Sequence, residues 1–285
     1  MNKRIRLKKL KEWFGLGVLH IFFIIICLLT LIPILYALSI SLNAQNSLLA
    51  SNFSFLPKNL TIKNYISVIT EQSVLLWLKN TLILVLATIG ITLLVAVPGA
   101  YSLSRYRFKG RQTIITSLVL FYSFPAILSM FAAYKLLSPV GLINSKIGLI
   151  ILYSGTMVIF AVLNLKGYFD SIPKEIEEAA QMDGASGKQM LTLILIPLAR
   201  PAIIVVCIMI LIYVWNEYIY AITFLTGASN YTLAAGLYSL QATEMTGSWP
   251  IFAAASILVS LPVLIIFYLS QKYMTSGLTA GGVKG

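Results

Sequence analysis

The chain has 285 residues, of which 59% are hydrophobic and 11% charged, and its mean hydropathy is +0.89. Soluble domains carry about 25% charged residues, so this composition excludes an ordinary water-soluble globular protein and calls for several spans of about 20 mostly apolar residues each. The net charge of +12 does not indicate nucleic acid, because the basic residues gather beside apolar runs, where they set topology and meet anionic lipid heads. The runs are continuous rather than alternating, which disfavours a β-barrel.

A basic start (Lys3, Arg4, Arg6, Lys8, Lys9, Lys11) leads into an apolar run over about 16–40. A signal-peptide core has only about 7–15 apolar residues, so an uncleaved first span is expected. Further spans are expected at about 80–103, 113–134, 147–167, 201–224 and 251–271, giving six transmembrane helices in an all-α membrane protein. Pro33, Pro98, Pro125 and Pro262 fall inside or near the ends of spans. They are read as packing kinks, since neighbouring helices can satisfy the freed carbonyls. With the N-terminus inside, every Lys and Arg lies on the inner side except Lys58, Lys63, Lys79, Lys135 and Lys146. That asymmetry places both termini in the cytoplasm. Cys27 and Cys207 sit in different apolar runs and read as small buried residues rather than a disulfide or metal site. His20, near the start of the first span, reads as interfacial.

Between the fourth and fifth spans lies a polar segment over about 168–200, which the topology places in the cytoplasm. Asp170 or Ser171 can cap a helix there, and Pro173 suits its first turn. Glu175, Glu177 and Glu178 complement the dipole, Ala179 and Ala180 favour helix, and Gly184 is a natural stop. A second short helix is expected from about 187 to 196, ending before Pro197. Apolar residues at 172, 176, 179 and 182 share one helical face. Periodicity leaves open whether that face rests on lipid, on the protein's own spans or on a partner.

The string Glu178-Ala179-Ala180-Gln181-Met182-Asp183-Gly184, followed by Ile194-Leu195-Ile196-Pro197, resembles the EAA loop of ABC-importer permeases. In that family the residue before the proline is usually Leu, and here it is the equally aliphatic Ile196. The resemblance implies the ABC-importer permease fold as a single domain over 1–285. It also implies that Glu178, Ala179, Ala180, Asp183, Gly184, Ile194 and Pro197 dock onto a cytoplasmic ATPase. Pro57, Thr61 and the Asn64-Tyr65 pair in the outer segment resemble the first external loop of carbohydrate-importer permeases. The small, flexible-looking tail Ser276–Gly285 resembles that of the MalG-type subunit, which reaches into the ATPase dimer. Together these imply the second permease subunit of a carbohydrate importer. The expected partners are a homologous permease, two copies of the ATPase, an extracytoplasmic substrate-binding protein and membrane lipid.

The fifth run carries an acid in Trp215-Asn216-Glu217-Tyr218. An acid at membrane depth needs a partner or water, and aromatic faces with amide groups are what sugars bind. Related carbohydrate permeases resemble this chain here too. Helix fastening, pathway lining and sugar contact remain open for these residues.

Gly187-Lys188 fails the Walker A pattern, because position 182 is Met and 189 is Gln. No catalytic triad, metal-ligand cluster or carboxylate pair lies in the spans. Neither an enzyme nor a cofactor or metal site is therefore expected, and ATP hydrolysis falls to another polypeptide. The substrate reads as an oligosaccharide of the maltose type carried across the plasma membrane. The alternatives are another small solute, such as a polyamine or glycerol phosphate, and an ion-coupled secondary transporter. The last needs more intramembrane ionisable groups than Glu217 supplies.

Overall fold

Backbone N–H and C=O groups in hydrocarbon must bond one another, and the long apolar runs accordingly become helices. The computed structural model describes residues 3–44, 59–242 and 249–280. Four helices are long and apolar enough to cross a membrane by themselves: α1 (Lys3–Ser41), α3 (Val74–Arg105), α6 (Lys146–Ser171) and α13 (Trp249–Ala280). Two bent pairs bring the number of spans to as many as six. Pro33, Pro98 and Pro262 lie inside continuous helices.

The chain divides into two compact units, Met1–Gln72 with Gln241–Leu258, and Ser73–Leu240 with Val259–Gly285. In the first, α1 exposes apolar side chains all round, among them Leu19, Phe22, Ile25 and Leu29, the pattern of a helix meant for lipid or a partner. Its C-terminal end is fastened to α2 (Lys63–Thr70). Asn64 donates from its amide to the Ser41 and Asn43 carbonyls at 2.9 Å each, and the Tyr65 hydroxyl meets the Ser41 hydroxyl at 2.7 Å. The Asn64-Tyr65 pair thus ties the outer segment down, while Phe53–Pro57 and Gly281–Gly285 lie outside the described residues.

The second unit is built on α3 and α6. Asn80 accepts from Lys146 Nζ at 2.6 Å, and far along both helices Ser104 donates to Asp170 at 2.6 Å, so the two run in the same direction. Buried Leu84, Ala96, Ala100, Leu149, Ala161, Leu165 and Phe169 fill the seam. Lipid tails are as apolar as these side chains, so the seam is held by close packing and hydrogen bonds rather than by exclusion of water. Helix α10 (Arg200–Asn216) packs Val206, Ile210 and Val214 into the same core.

Three expectations need correction. The third run is two helices, α4 (Arg111–Ser123) and α5 (Ala126–Leu137), bent by 101°. Pro125 forces Phe124 into an extended conformation (φ −76°, ψ 130°), which breaks the helix rather than kinking it. The fifth run is also broken, between α10 and α11 (Ile219–Phe224), at Glu217 and Tyr218. The tail from Ser276 does not begin flexible, since α13 continues to Ala280. A single glycine, Gly277, costs about 1 kcal/mol in a helix and need not end it.

Candidate functional site

The polar segment folds as a helix, a turn and a helix. Helix α6 runs to Ser171, Ile172 and Pro173 are extended, and α7 (Lys174–Met182) follows. The expected side-chain caps are used elsewhere. Asp170 accepts from Lys166 and Ser104, Ser171 donates to the Tyr168 carbonyl, and Pro173 stands at the N-cap without a side-chain bond. Proline lacks an N–H and presets the entry angle, so none is lost there.

Gly184 stops α7 with φ +83°. Its N–H bonds the Gln181 carbonyl and that of Ala185 bonds the Ala180 carbonyl, both at 3.0 Å, the paired bonds of a left-handed helix stop. Ser186 then opens the next helix with a reciprocal cap, its hydroxyl facing the Gln189 N–H and the Gln189 side chain reaching back to the Ser186 N–H. That helix runs through α8 (Gly187–Gln189), a wide turn over Met190–Leu195 and α9 (Ile196–Leu198). It passes Pro197 instead of ending before it. In a regular helix the ring would press on the Leu193 carbonyl, whereas here the preceding turn is widened, with the Ile196 N–H bonded to Leu191. A 74° bend then leads into α10.

Among the residues expected to dock, Glu178, Ala179, Asp183, Gly184 and Pro197 are exposed, and Ala180 and Ile194 are half-buried. The apolar face of α7 emerges progressively. Ile172 is 8% exposed, Ile176 39% and Met182 88%. The chain's own spans therefore leave that face uncovered at its far end.

Glu177 is the residue that sequence reasoning undervalued. It is 7% exposed and paired with Arg105 at the C-terminal end of α3. Arg105 also donates to the Ile172 carbonyl at 3.2 Å, and Arg111 donates to the Leu103 carbonyl at 2.7 Å. In the sequence Glu177 reads as a dipole partner beside Glu175 and Glu178, and Arg105 as one of the topology-setting bases. Only the fold shows that they meet. The available signal was an arginine, the base best suited to a fixed carboxylate, as the last residue of a long apolar helix.

The break in the fifth run is built around Glu217. Its carboxylate accepts from the Tyr153 hydroxyl at 2.5 Å, from the Tyr220 N–H at 2.8 Å and from the Ala221 N–H at 3.2 Å. The acid thus caps α11 and ties the break to α6. The four candidates of this string part company. Trp215 is buried, whereas Asn216 is exposed and donates to the Ile212 carbonyl at 2.8 Å. Tyr218 is exposed and stacks on Tyr238 of α12 (Leu233–Ala242), ring centroids 5.5 Å apart.

Beyond the break, the connection to α12 is clasped by α3 and by the turn at Asn144. Trp77 donates to the Ala228 carbonyl at 2.7 Å, and Asn80 donates to those of Ser229 and Tyr231 at 2.9 Å. Asn144 accepts from the Thr226 N–H at 2.9 Å. Gly236 lies so close to Trp77 that a Cβ there would stand 2.2 Å from the indole ring. Among the described residues no group of three or more His, Cys, Asp or Glu side chains could hold a metal ion.

Comparison with known proteins agrees with this architecture. The Galactooligosaccharides transport system permease protein GanQ of Bacillus subtilis (strain 168) is 36% identical over 89% of this chain and 90% of its own length. The Maltose/maltodextrin transport system permease protein MalG of Escherichia coli (strain K12) is 38% identical over 74% of this chain and 73% of its own. A chain in the crystal structure of a bacterial ABC transporter involved in the import of the acidic polysaccharide alginate superposes with a TM-score of 0.76 at 26% identity, covering 96% of this chain and 98% of that one. Residues 89–279 match the family described as "Binding-protein-dependent transport system inner membrane component", and with these relatives the chain belongs to that family of multi-pass permeases.

Proposed function

We propose that the chain is one transmembrane permease subunit of an ATP-driven importer that carries an oligosaccharide across the plasma membrane. GanQ and MalG, named for transport of galactooligosaccharides and of maltose/maltodextrin, support the carbohydrate class. The coupling loop carries the mechanical part of the reading. A short helix held to α3 by the Arg105–Glu177 pair, with Ile176, Ala179 and Met182 uncovered, suits docking onto a separate ATPase. Glu178, Ala180, Asp183, Gly184, Ile194 and Pro197 complete that surface. Both termini then lie in the cytoplasm, as the basic asymmetry requires. One such loop serves one ATPase, so a homologous permease and a second ATPase copy complete the complex, and an extracytoplasmic binding protein delivers the sugar. ATP-driven closure of the motor moves the loops and switches the cavity from inward to outward facing.

The test is isolation of the tagged chain with its partners, followed by reconstitution in liposomes. Uptake of malto- or galacto-oligosaccharides should require ATP hydrolysis and loaded binding protein. Uptake driven by an ion gradient without ATP would replace this reading with a secondary transporter.

A further inference from the structure

The break at Glu217 and Tyr218 has a physical requirement that the rest of the bundle does not. It begins seventeen residues beyond Arg200, where α10 begins, which is about 26 Å along the helix and within a hydrocarbon core about 30 Å thick. Unwound backbone at such depth is tolerated only inside protein or against a water-filled cavity. Glu217 turns its carboxylate inward to Tyr153 and to the start of α11. The opposite side of the break, at Asn216 and Tyr218, is exposed.

On that open side Tyr218 and Tyr238 form a tilted stack with an interplanar angle of 28°, and they are 41% and 43% exposed. Neither hydroxyl has a hydrogen-bond partner among the described residues. Two part-exposed phenols with free hydroxyls are a poor surface for lipid tails. They suit a pyranose ring, whose C–H face packs on an aromatic face and whose hydroxyls bond phenol oxygens.

We propose that Tyr218 and Tyr238 form a platform for a sugar ring at the outer part of the translocation pathway, with Tyr153 and Glu217 as the positioning residues that hold the break in place beneath it. This rests on the carbohydrate reading above. Glu217 does not touch the sugar. Its bond from Tyr153 anchors the residue directly before Tyr218 to α6, and so fixes where that ring stands relative to Tyr238.

The experiment uses the reconstituted importer with its binding protein, with maltotetraose and galactotetraose as probes. Tyr218→Ala and Tyr238→Ala should each lower kcat/KM for uptake by about fivefold to tenfold, the scale of one aromatic contact. Subunit yield, read on the purified complex, controls for assembly. Tyr218→Phe and Tyr238→Phe keep the ring and should lose about twofold to threefold, the scale of one hydrogen bond. Tyr153→Phe, which removes only the hydroxyl, should lower kcat/KM at unchanged yield, whereas a merely structural role would lower yield instead. Should an alanine variant fail to assemble, nitration of the wild-type complex decides. Loaded binding protein should protect Tyr218 and Tyr238 from nitration, and unloaded binding protein should not. Equal nitration in both states, or unchanged kcat/KM in the Tyr218→Ala/Tyr238→Ala double variant, overturns the platform. If the wild type carries neither tetrasaccharide but carries spermidine or glycerol 3-phosphate, the carbohydrate reading falls first and the platform with it.

Discussion

Glu177 and Glu217 are acids set in the same bundle, and the chain holds them by opposite means. Glu177, on α7, is closed over to 7% exposure and matched by a full positive charge from Arg105. Glu217, at the break between α10 and α11, has no cation paired with it among the described residues and is instead surrounded by a hydroxyl and two backbone N–H groups. An ion pair serves where two separate elements must be locked together. A ring of neutral donors serves where one helix must end and another begin, because the groups that need a partner are the N–H groups of the new helix. The first acid makes a joint between α7 and α3, and the second makes a break habitable.

Several changes would test that contrast, and the largest effect is expected at the joint. Glu177→Ala leaves Arg105 buried without its counter-ion, with only the Ile172 carbonyl and the Ser104 hydroxyl as partners, which costs about 3–5 kcal/mol for a broken buried pair. ATP-driven transport and co-purification of the ATPase should both be lost while membrane insertion persists. The Arg105→Ala/Glu177→Ala double variant should recover part of the thermal stability, and a cycle with no coupling energy would show the pair to be incidental. Next comes the turn. Gly184 needs φ +83°, which proline cannot adopt and which costs other residues about 1–2 kcal/mol. No neighbouring atom lies within 4 Å of a Cβ built there, so the cost is backbone strain alone. Gly184→Pro should release the ATPase in a pull-down, and normal recovery would remove the turn from the docking surface.

At the break, Glu217→Ala should cost about 1–3 kcal/mol through unpaired donors. It should lower the melting temperature of the assembled complex and uncouple ATP hydrolysis from uptake. Unchanged melting and coupling would mean that water replaces the carboxylate without loss. Gly236→Ala should cost a similar 1–3 kcal/mol by overpacking against Trp77, and thermal denaturation of the complex measures it. The smallest effect is expected at Lys188, which is exposed. Lys188→Ala should leave nucleotide binding by the complex unchanged, and ATP hydrolysis by the isolated subunit would contradict the division of labour.

The spans were legible because a long apolar run has few other ways to satisfy its backbone, and the helix-turn-helix over 174–198 was legible because its alanines and Gly184 act within one or two helical turns, whereas the cap expected from Asp170 or Ser171 is not made. The Arg105–Glu177 joint was not, since its partners stand far apart in the chain and each has an adequate local explanation. The breaks at Pro125 and Glu217 were misread for a related reason. An apolar run with one proline or one acid looks the same whether the helix bends or stops, and what decides is the pairing available around it, such as the Tyr153 hydroxyl on another helix. Trp215, expected among pathway residues, is buried because consecutive helical side chains turn by about 100°, and its neighbours took the open side.

Helix α3 carries Arg105 at one end and Trp77 and Asn80 near the other, some 28 residues or about 42 Å apart. On the docking proposed for α7 it would work as a push-rod. Its C-terminal end is joined to α7 through Arg105 and Glu177, its N-terminal end clasps the connection between α11 and α12, and α6 is pinned alongside at both ends. A hydrogen-bonded helix resists shortening, so a push on α7 would reach the α11–α12 connection as displacement rather than compression. The exception is Pro98, which cannot donate to the Leu94 carbonyl, and there the rod can flex and soften the stroke.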